Sequence, residues 1–232
     1  MLIDRTNGRV LDILESREKT VLIAWLKAGV SSGLLGHLEE ATTDMWDGYV
    51  EAVKEVFEGR VRITIDRFHV MANFQEWLTD ARREIQRTLP KEAMAELKGT
   101  RWKWLTNEEN LTQEDRQVLD GLKRKYPLLG QLARQRESLR AIFEDRGITT
   151  SDAGVTRLRA WCEGAKSLGL TALSSFTRTL ERWMDKVANY FVSRSTNAQT
   201  EGYNHGLRAI LWRAFGMRNF THFRARVLQA FG

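Results

Sequence analysis

The hydrophobic pattern of the chain changes its period once, at Asp66, and that change divides the architecture. Before it, short alternating segments interleave with short helical ones. Leu2-Ile3-Asp4 and Arg9-Val10-Leu11-Asp12-Ile13-Leu14 flank Thr6-Asn7-Gly8, and Asn-Gly is a strong hairpin signal because both residues tolerate positive φ. Residues 18–27 read as a helix through Leu22, Ile23 and Leu26, with Gly29 as its stop. Residues 38–43 form a strand candidate ending at Asp44, residues 46–57 a helix, and Val61-Arg62-Ile63-Thr64-Ile65 a β-branched strand ending at Asp66. After Asp66 the strand signals nearly cease. Helical patterns cover residues 68–89, 113–123, 128–143, 153–165 and 173–191, the last with a stripe of Phe176, Leu180, Trp183, Met184, Val187 and Phe191. Two further helices, 197–213 and 219–231, are separated by Gly216, and Asn219 is placed to cap the second. The expected organisation is an α/β sheet portion in residues 1–66, an all-helical insertion in 67–195, and C-terminal helices in 196–232.

A hydrophobic content of 42% supports a packed core. The longest apolar run, Val21–Leu26, is far too short for a membrane span, so no membrane partner is expected. Cys162 is the only cysteine, which excludes an intrachain disulfide and fits a bacterial cytosol. The chain carries a net charge of +6, concentrated at one end. Residues 193–232 hold Arg194, Arg208, Arg213, Arg218, Arg224 and Arg226 against the single acid Glu201. A basic end on a near-neutral body suits a polyanion such as nucleic acid; a solvated helical face is the plainer alternative.

On the helix around Glu201, successive residues turn by about 100°, so Asn197, Glu201, Asn204, His205 and Arg208 share a face opposite Tyr203, Leu207, Ile210 and Ala214. That polar face is either a wet surface or a carboxylate set among amides and cations. Asp44 and Asp66 each follow a strand, where ligands of open α/β sheets gather. Two such acids and Glu201, brought together by folding, would form a hard oxygen cage suited to Mg²⁺. Each Asp also precedes a helix and could simply cap it. His69 follows Phe68 at a helix start, where packing competes with metal ligation. Trp102-Lys103-Trp104 interleaves aromatics with a base, as stacking platforms do, although Leu105 beside it favours a core. No P-loop, dinucleotide fingerprint, G-x-S-x-G or H-E-x-x-H pattern occurs.

Three segments together resemble the DDE transposases of bacterial insertion sequences, of the ISL3 type. They are Asp44-Met-Trp-Asp-Gly-Tyr49 with Ile65-Asp-Arg-Phe-His-Val70, then residues 101–112, then Asn197-Ala-Gln-Thr-Glu-Gly-Tyr-Asn204 continuing through Arg213–Phe220. The resemblance implies an RNase H-like mixed sheet, its first strand missing here, interrupted by a large helical insertion. It implies Asp44 as the second catalytic acid and metal ligand, and Glu201 as the third. Asp66, His69, Asn197 and Asn204 take supporting roles, and Asp66 is not one of the three acids. The implied activity is strand cleavage and transfer at transposon ends with Mg²⁺ or Mn²⁺. Transposon-end DNA, held by Arg208, Arg213, Arg218 and Arg224, is the implied partner. A second copy or a full-length transposase would join it, in the bacterial cytoplasm at the nucleoid.

In the family the first acid lies on a strand upstream of the hairpin, whereas Leu2-Ile3-Asp4 through Leu11 resembles the second and third strands. Asp4 therefore does not take that role, and the zinc-binding and helix-turn-helix regions expected of a full-length member find no counterpart. The expectation is a truncated catalytic domain, inactive alone because two of three acids cannot hold both metal ions. The alternative is a non-catalytic DNA-binding or inhibitory partner of full-length transposase.

Overall fold

The computed structural model describes residues 1–214 and 217–232, with the backbone alone at Glu201. The chain divides into two compact units, one of Met1–Asp66 with Ser195–Gly232, the other of Arg67–Arg194. The first opens with an antiparallel hairpin, β1 (Leu2–Asp4) and β2 (Arg9–Asp12). Gly8 turns it at φ 63°, and the Asp4 carboxylate accepts the Asn7 backbone N–H at 3.1 Å and its amide N–H at 2.6 Å. Next, α1 (Lys19–Ser31) runs past Gly29, the expected stop. Gly29 serves packing instead: a Cβ there would lie 2.7 Å from Leu35 Cδ1, the side chain that folds back over the helix. Then β3 (Glu40–Thr43), α2 (Asp47–Phe57) and β4 (Arg62–Ile65) form a parallel pair with a helical crossover. Buried Val50, Val53 and Phe57 of α2 and Ile63 and Ile65 of β4 belong to the core.

The second unit is helical throughout: α3 (Arg67–Arg87), α4 (Lys91–Leu97), α5 (Arg101–Leu105), a short 3-10 turn at Glu108–Asn110, α6 (Gln113–Lys125), α7 (Pro127–Glu144), α8 (Ser151–Lys166), α9 (Thr171–Arg182), α10 (Met184–Ala188) and α11 (Tyr190–Ser193). Its centre is aromatic. Phe74 lies 5.2 Å from Trp161 and 4.6 Å from Phe176, and Phe143 stacks on Phe191 at 5.8 Å. The single long helix expected over 173–191 is broken at Trp183 and Asn189. Trp183 has φ −101° and ψ 4°, and its N–H is shared between the carbonyls of Thr179 and Leu180. All six residues of the predicted stripe are nonetheless buried, because each break costs only a residue. The Glu84 carboxylate accepts the N–H groups of Thr171 and Ala172 at 3.0 and 3.2 Å, satisfying the start of α9. Trp104 is buried, whereas Trp102 is 68% exposed. Burial pushes the Cys162 thiol up to about 12, so it is inert near neutrality.

The chain returns to the first unit with α12 (Ala198–Arg213) and α13 (Phe220–Phe231). Asn219 caps α13 by accepting the His222 N–H at 3.0 Å, while Gly216 lies outside the described residues. Val227 is fully buried against Val10 and Ile13, and Tyr203, Leu207 and Ile210 of α12 pack on the same cluster. Beneath it, the Asp12 carboxylate accepts from Arg224 Nε at 2.6 Å and Nη2 at 2.9 Å, from Trp25 Nε1 at 2.8 Å and from the Ile13 N–H at 2.8 Å. The unit is thus mixed α/β, mostly helical, and among the described residues its strands form two separate pairs, not one continuous mixed sheet. Strands of three and four residues leave few backbone groups for a wider ladder, and α13 takes up packing on β2.

Candidate active site at the ends of the parallel strands

The parallel register sets Thr43 beside Ile65, so the next residues, Asp44 and Asp66, stand side by side at the carboxyl ends of β3 and β4. The Asp66 N–H extends the ladder to the Thr43 carbonyl at 3.1 Å. Beyond this the two acids differ. Asp66 is 1% exposed, and its Oδ2 accepts the Asn197 N–H at 2.8 Å. Asn197 is the residue from which α12 starts. Asp66 therefore fixes the origin of the Glu201 helix by satisfying one of its otherwise orphaned donors.

Asp44 is half-buried, with its side chain 33% exposed. It does not cap α2, whose N-cap is Trp46 without a side-chain bond. Its Oδ1 instead accepts the Thr43 hydroxyl at 3.3 Å, and its Oδ2 lies 3.7 Å from Arg17 Nη2. Arg17 also donates from Nε to the Tyr49 hydroxyl at 3.3 Å and lies 5.6 Å over the Trp46 ring. The bond to Tyr49, then its charge, then that of Asp44 raise the Arg17 pKa. Sequence reasoning missed Arg17, because its partners lie about thirty residues on, between the end of β3 and the first turn of α2. It missed Glu40 too, whose carboxylate accepts the hydroxyls of Thr64 and of Ser195, the latter at 2.6 Å, and so ties β3 to β4 and to the approach to α12.

Among the described residues no three Asp, Glu, His or Cys groups gather as a metal cluster. The carboxylate of Asp44 fits a hard divalent cation in kind, since Mg²⁺ commonly takes one or two carboxylates with water and phosphate. Asp66, buried and bonded to Asn197, does not present itself in the same way.

A family model described as a transposase, of the DDE ISL3 type, matches residues 1–227. The chain belongs to the ISL3-type transposases. It is similar to the transposase for insertion sequence element IS1001 of Bordetella parapertussis, 25% identical over 235 residues, covering 100% of this chain and 56% of that protein. The chain thus spans about half the length of the curated relative it matches. No solved structure matches it at a significant level.

In this ISL3-type transposase chain, Glu201 lies on α12 one turn beyond Asn197, and its side chain is outside the described residues. Asn204, His205, Arg208 and Arg213 are exposed on α12, and Arg218 is exposed in the segment just before α13. Arg224 differs, because the Nε–Nη2 edge of its guanidinium is committed to Asp12. His69 is half-buried near the start of α3, while Phe68 before it is 42% exposed. No described helix is long and apolar enough to cross a membrane.

Proposed function

We propose that residues 1–232 form the catalytic region of a DDE-type transposase of an insertion sequence, acting on DNA at transposon ends. The observation that carries this reading is the parallel strand pair that sets Asp44 beside Asp66, with Asp66 holding the start of the Glu201 helix. That places the origin of α12 against the strand end where Asp44 stands. Asp44 and Glu201 are two of the three acids, the sheet portion is RNase H-like in type, and Arg67–Arg194 is its helical insertion. Mg²⁺ or Mn²⁺, when bound to Asp44 and Glu201, would activate the attacking oxygen and neutralise charge on the phosphate.

Within this scheme the remaining residues position and attract. Asp66 orients α12 through its N-cap residue. Arg17 sets the Asp44 carboxylate and draws phosphate toward it. Arg208, Arg213 and Arg218 offer exposed cations to the DNA backbone. Asn197 and Asn204 of the first unit take supporting roles, as does His69 of the helical unit. Work at the nucleoid, in the company of a second copy or a longer transposase, follows from this reading.

The test is metal linkage. Mn²⁺ or Mg²⁺ at ten times its dissociation constant stabilises the protein by about 1.4 kcal/mol, a rise of roughly 3–6 °C in melting temperature. Glu201→Gln and Asp44→Asn should each abolish most of that rise. Persistence of the full shift in both variants would remove the metal site from these residues. DNA binding with a normal salt slope and no metal response would favour a non-catalytic DNA-binding or inhibitory role. On the three-acid reading, the polypeptide of residues 1–232 should cleave transposon-end DNA weakly or not at all. Efficient cleavage that is lost in Asp44→Ala would overturn that expectation.

A further inference from the structure

Among the described residues the most exposed large apolar side chain is Trp212, 83% exposed near the end of α12. Other tryptophans that reach the surface have partners. Trp102 carries the Arg101 guanidinium 4.6 Å over its ring, Trp46 lies under Arg17, and Trp25 donates its indole N–H to Asp12. Trp212 has no ring, cation or hydrogen-bond partner among the described residues, so its indole is open to an incoming ring. The helix itself turns it outward. Tyr203, Leu207 and Ile210 pack α12 onto Val10, Ile13 and Val227. At about 100° per residue, position 212 lies on the opposite side, together with exposed Asn204, His205 and Arg208. It also stands only about 20° round from position 201 and roughly 16 Å along the axis, about three turns on.

The charge around Trp212 decides what would cover it. Residues 203–232 hold Arg208, Arg213, Arg218, Arg224 and Arg226 and no Asp or Glu. Arg208 lies one turn before Trp212 and Arg213 directly after it, both exposed. A second copy of this helix would bring like charge against like. A nucleic-acid strand brings phosphates for the arginines and an aromatic base for the indole. We propose that Trp212 stacks on an unpaired base of the DNA, while Arg208 and Arg213 hold the neighbouring phosphates. The inference rests on the DNA reading above and deepens it, because it names a residue that tells an opened strand from an intact duplex. Bases of an intact duplex are covered by their neighbours, and unstacking costs least where a strand is already unpaired. Roughly 16 Å is the span of about five stacked nucleotides, so the base lies within about five nucleotides of the phosphate that Glu201 serves.

The test is fluorescence anisotropy of the 232-residue chain over a range of salt, with a labelled duplex that is either blunt or carries a single-stranded tail of about five nucleotides. Trp212→Ala should bind the tailed DNA about tenfold more weakly and lose less than about twofold on the blunt duplex. Its salt slope should equal the parent's, because stacking releases no counterions. Trp212→Phe should recover most of the loss. Arg208→Gln/Arg213→Gln should weaken both DNAs and make the slope shallower by about two. The melting temperature of Trp212→Ala should match the parent's, since the side chain is exposed, so that lost affinity is not lost fold. If Trp212→Ala binds both DNAs as the parent does while the arginine variant binds weakly, the stacking role is refuted and the DNA reading stands. Equal loss on blunt and tailed DNA would set Trp212 against the duplex and not an unpaired base, and would overturn the proposal. If the parent shows no salt-dependent binding to either DNA, the DNA reading itself fails and takes the stacking with it. If Trp212→Ala turns a dimer into a monomer in sedimentation and leaves DNA affinity unchanged, the indole joins two copies of the chain and the proposal is overturned.

Discussion

At the scale of single residues, the fold of the first unit depends on a buried acid whose partners are distant in sequence. Burial alone would push the Asp12 carboxyl up. Bonds from Arg224, Trp25 and the Ile13 N–H outweigh that and leave its pKa below the usual value. A depressed folded-state pKa contributes stability that is present above the unfolded pKa and lost as pH falls through the folded one. Asp12→Ala removes the acceptor from an indole, a backbone N–H and a guanidinium at once, and should cost about 3 kcal/mol at neutral pH. Urea unfolding should show that gap constant down to about pH 5 and shrinking below about pH 4. A gap that widened in acid would mean that Asp12 is not the linked group. None of this was legible from the chain alone. Asp12 read as one residue of an alternating strand, and Arg224, its partner 212 residues away, read as one of several free cations. The acids at the strand ends were legible because the strands that precede them are. Which of the two holds a helix and which stays accessible was not, since that depends on where the chain returns at Ser195 and Asn197.

At the scale of elements, periodicity located the helices well and their ends less well. The stripe from Phe176 to Phe191 is buried as its spacing requires, yet it runs across three helices. Side-chain burial repeats through a one-residue break, so hydrophobic pattern does not register it. Asn219, by contrast, was readable as a cap because capping is local chemistry. Asn219→Ala should lower stability by about 1 kcal/mol, measured by denaturant unfolding, and Asn219→Ser should restore most of it. Glycines carried less readable information. Gly154 is buried in α8, and a Cβ there would lie 2.2 Å from Cδ2 of Phe191, itself 1% exposed and stacked on Phe143. Gly154→Ala improves helix propensity and would be harmless on an open face. In this place it should destabilise by about 2 kcal/mol through overpacking. An unchanged or raised midpoint would show that Phe191 moves aside without loss.

At the scale of the whole molecule, the first unit is assembled from both ends of the chain, with the helical unit contributed by the stretch between them. The change of pattern at Asp66 announced where one end of that stretch lies. Nothing local announced that α13 would return to β2, because a three-residue apolar cluster has no sequence signature of its own. Val10, Ile13 and Val227 are nevertheless 2%, 4% and 0% exposed, and closure of the first unit depends on them. The helical unit has its own aromatic centre in Phe74, Trp161, Phe176 and Phe143. Two separate cores lead to the expectation that the two units differ in stability. Val227→Asp places an unpartnered charge in the closing cluster and should cost about 3 kcal/mol. The loss should be confined to the first unit. Hydrogen exchange in the variant should show faster exchange in β1, β2 and α12, with protection of α7, α8 and α9 kept at the parent level. Uniform loss of protection would mean that the units unfold as one. In that case a polypeptide of residues 67–194 should fail to fold alone. If protection divides as expected, the same polypeptide should be helical and melt cooperatively.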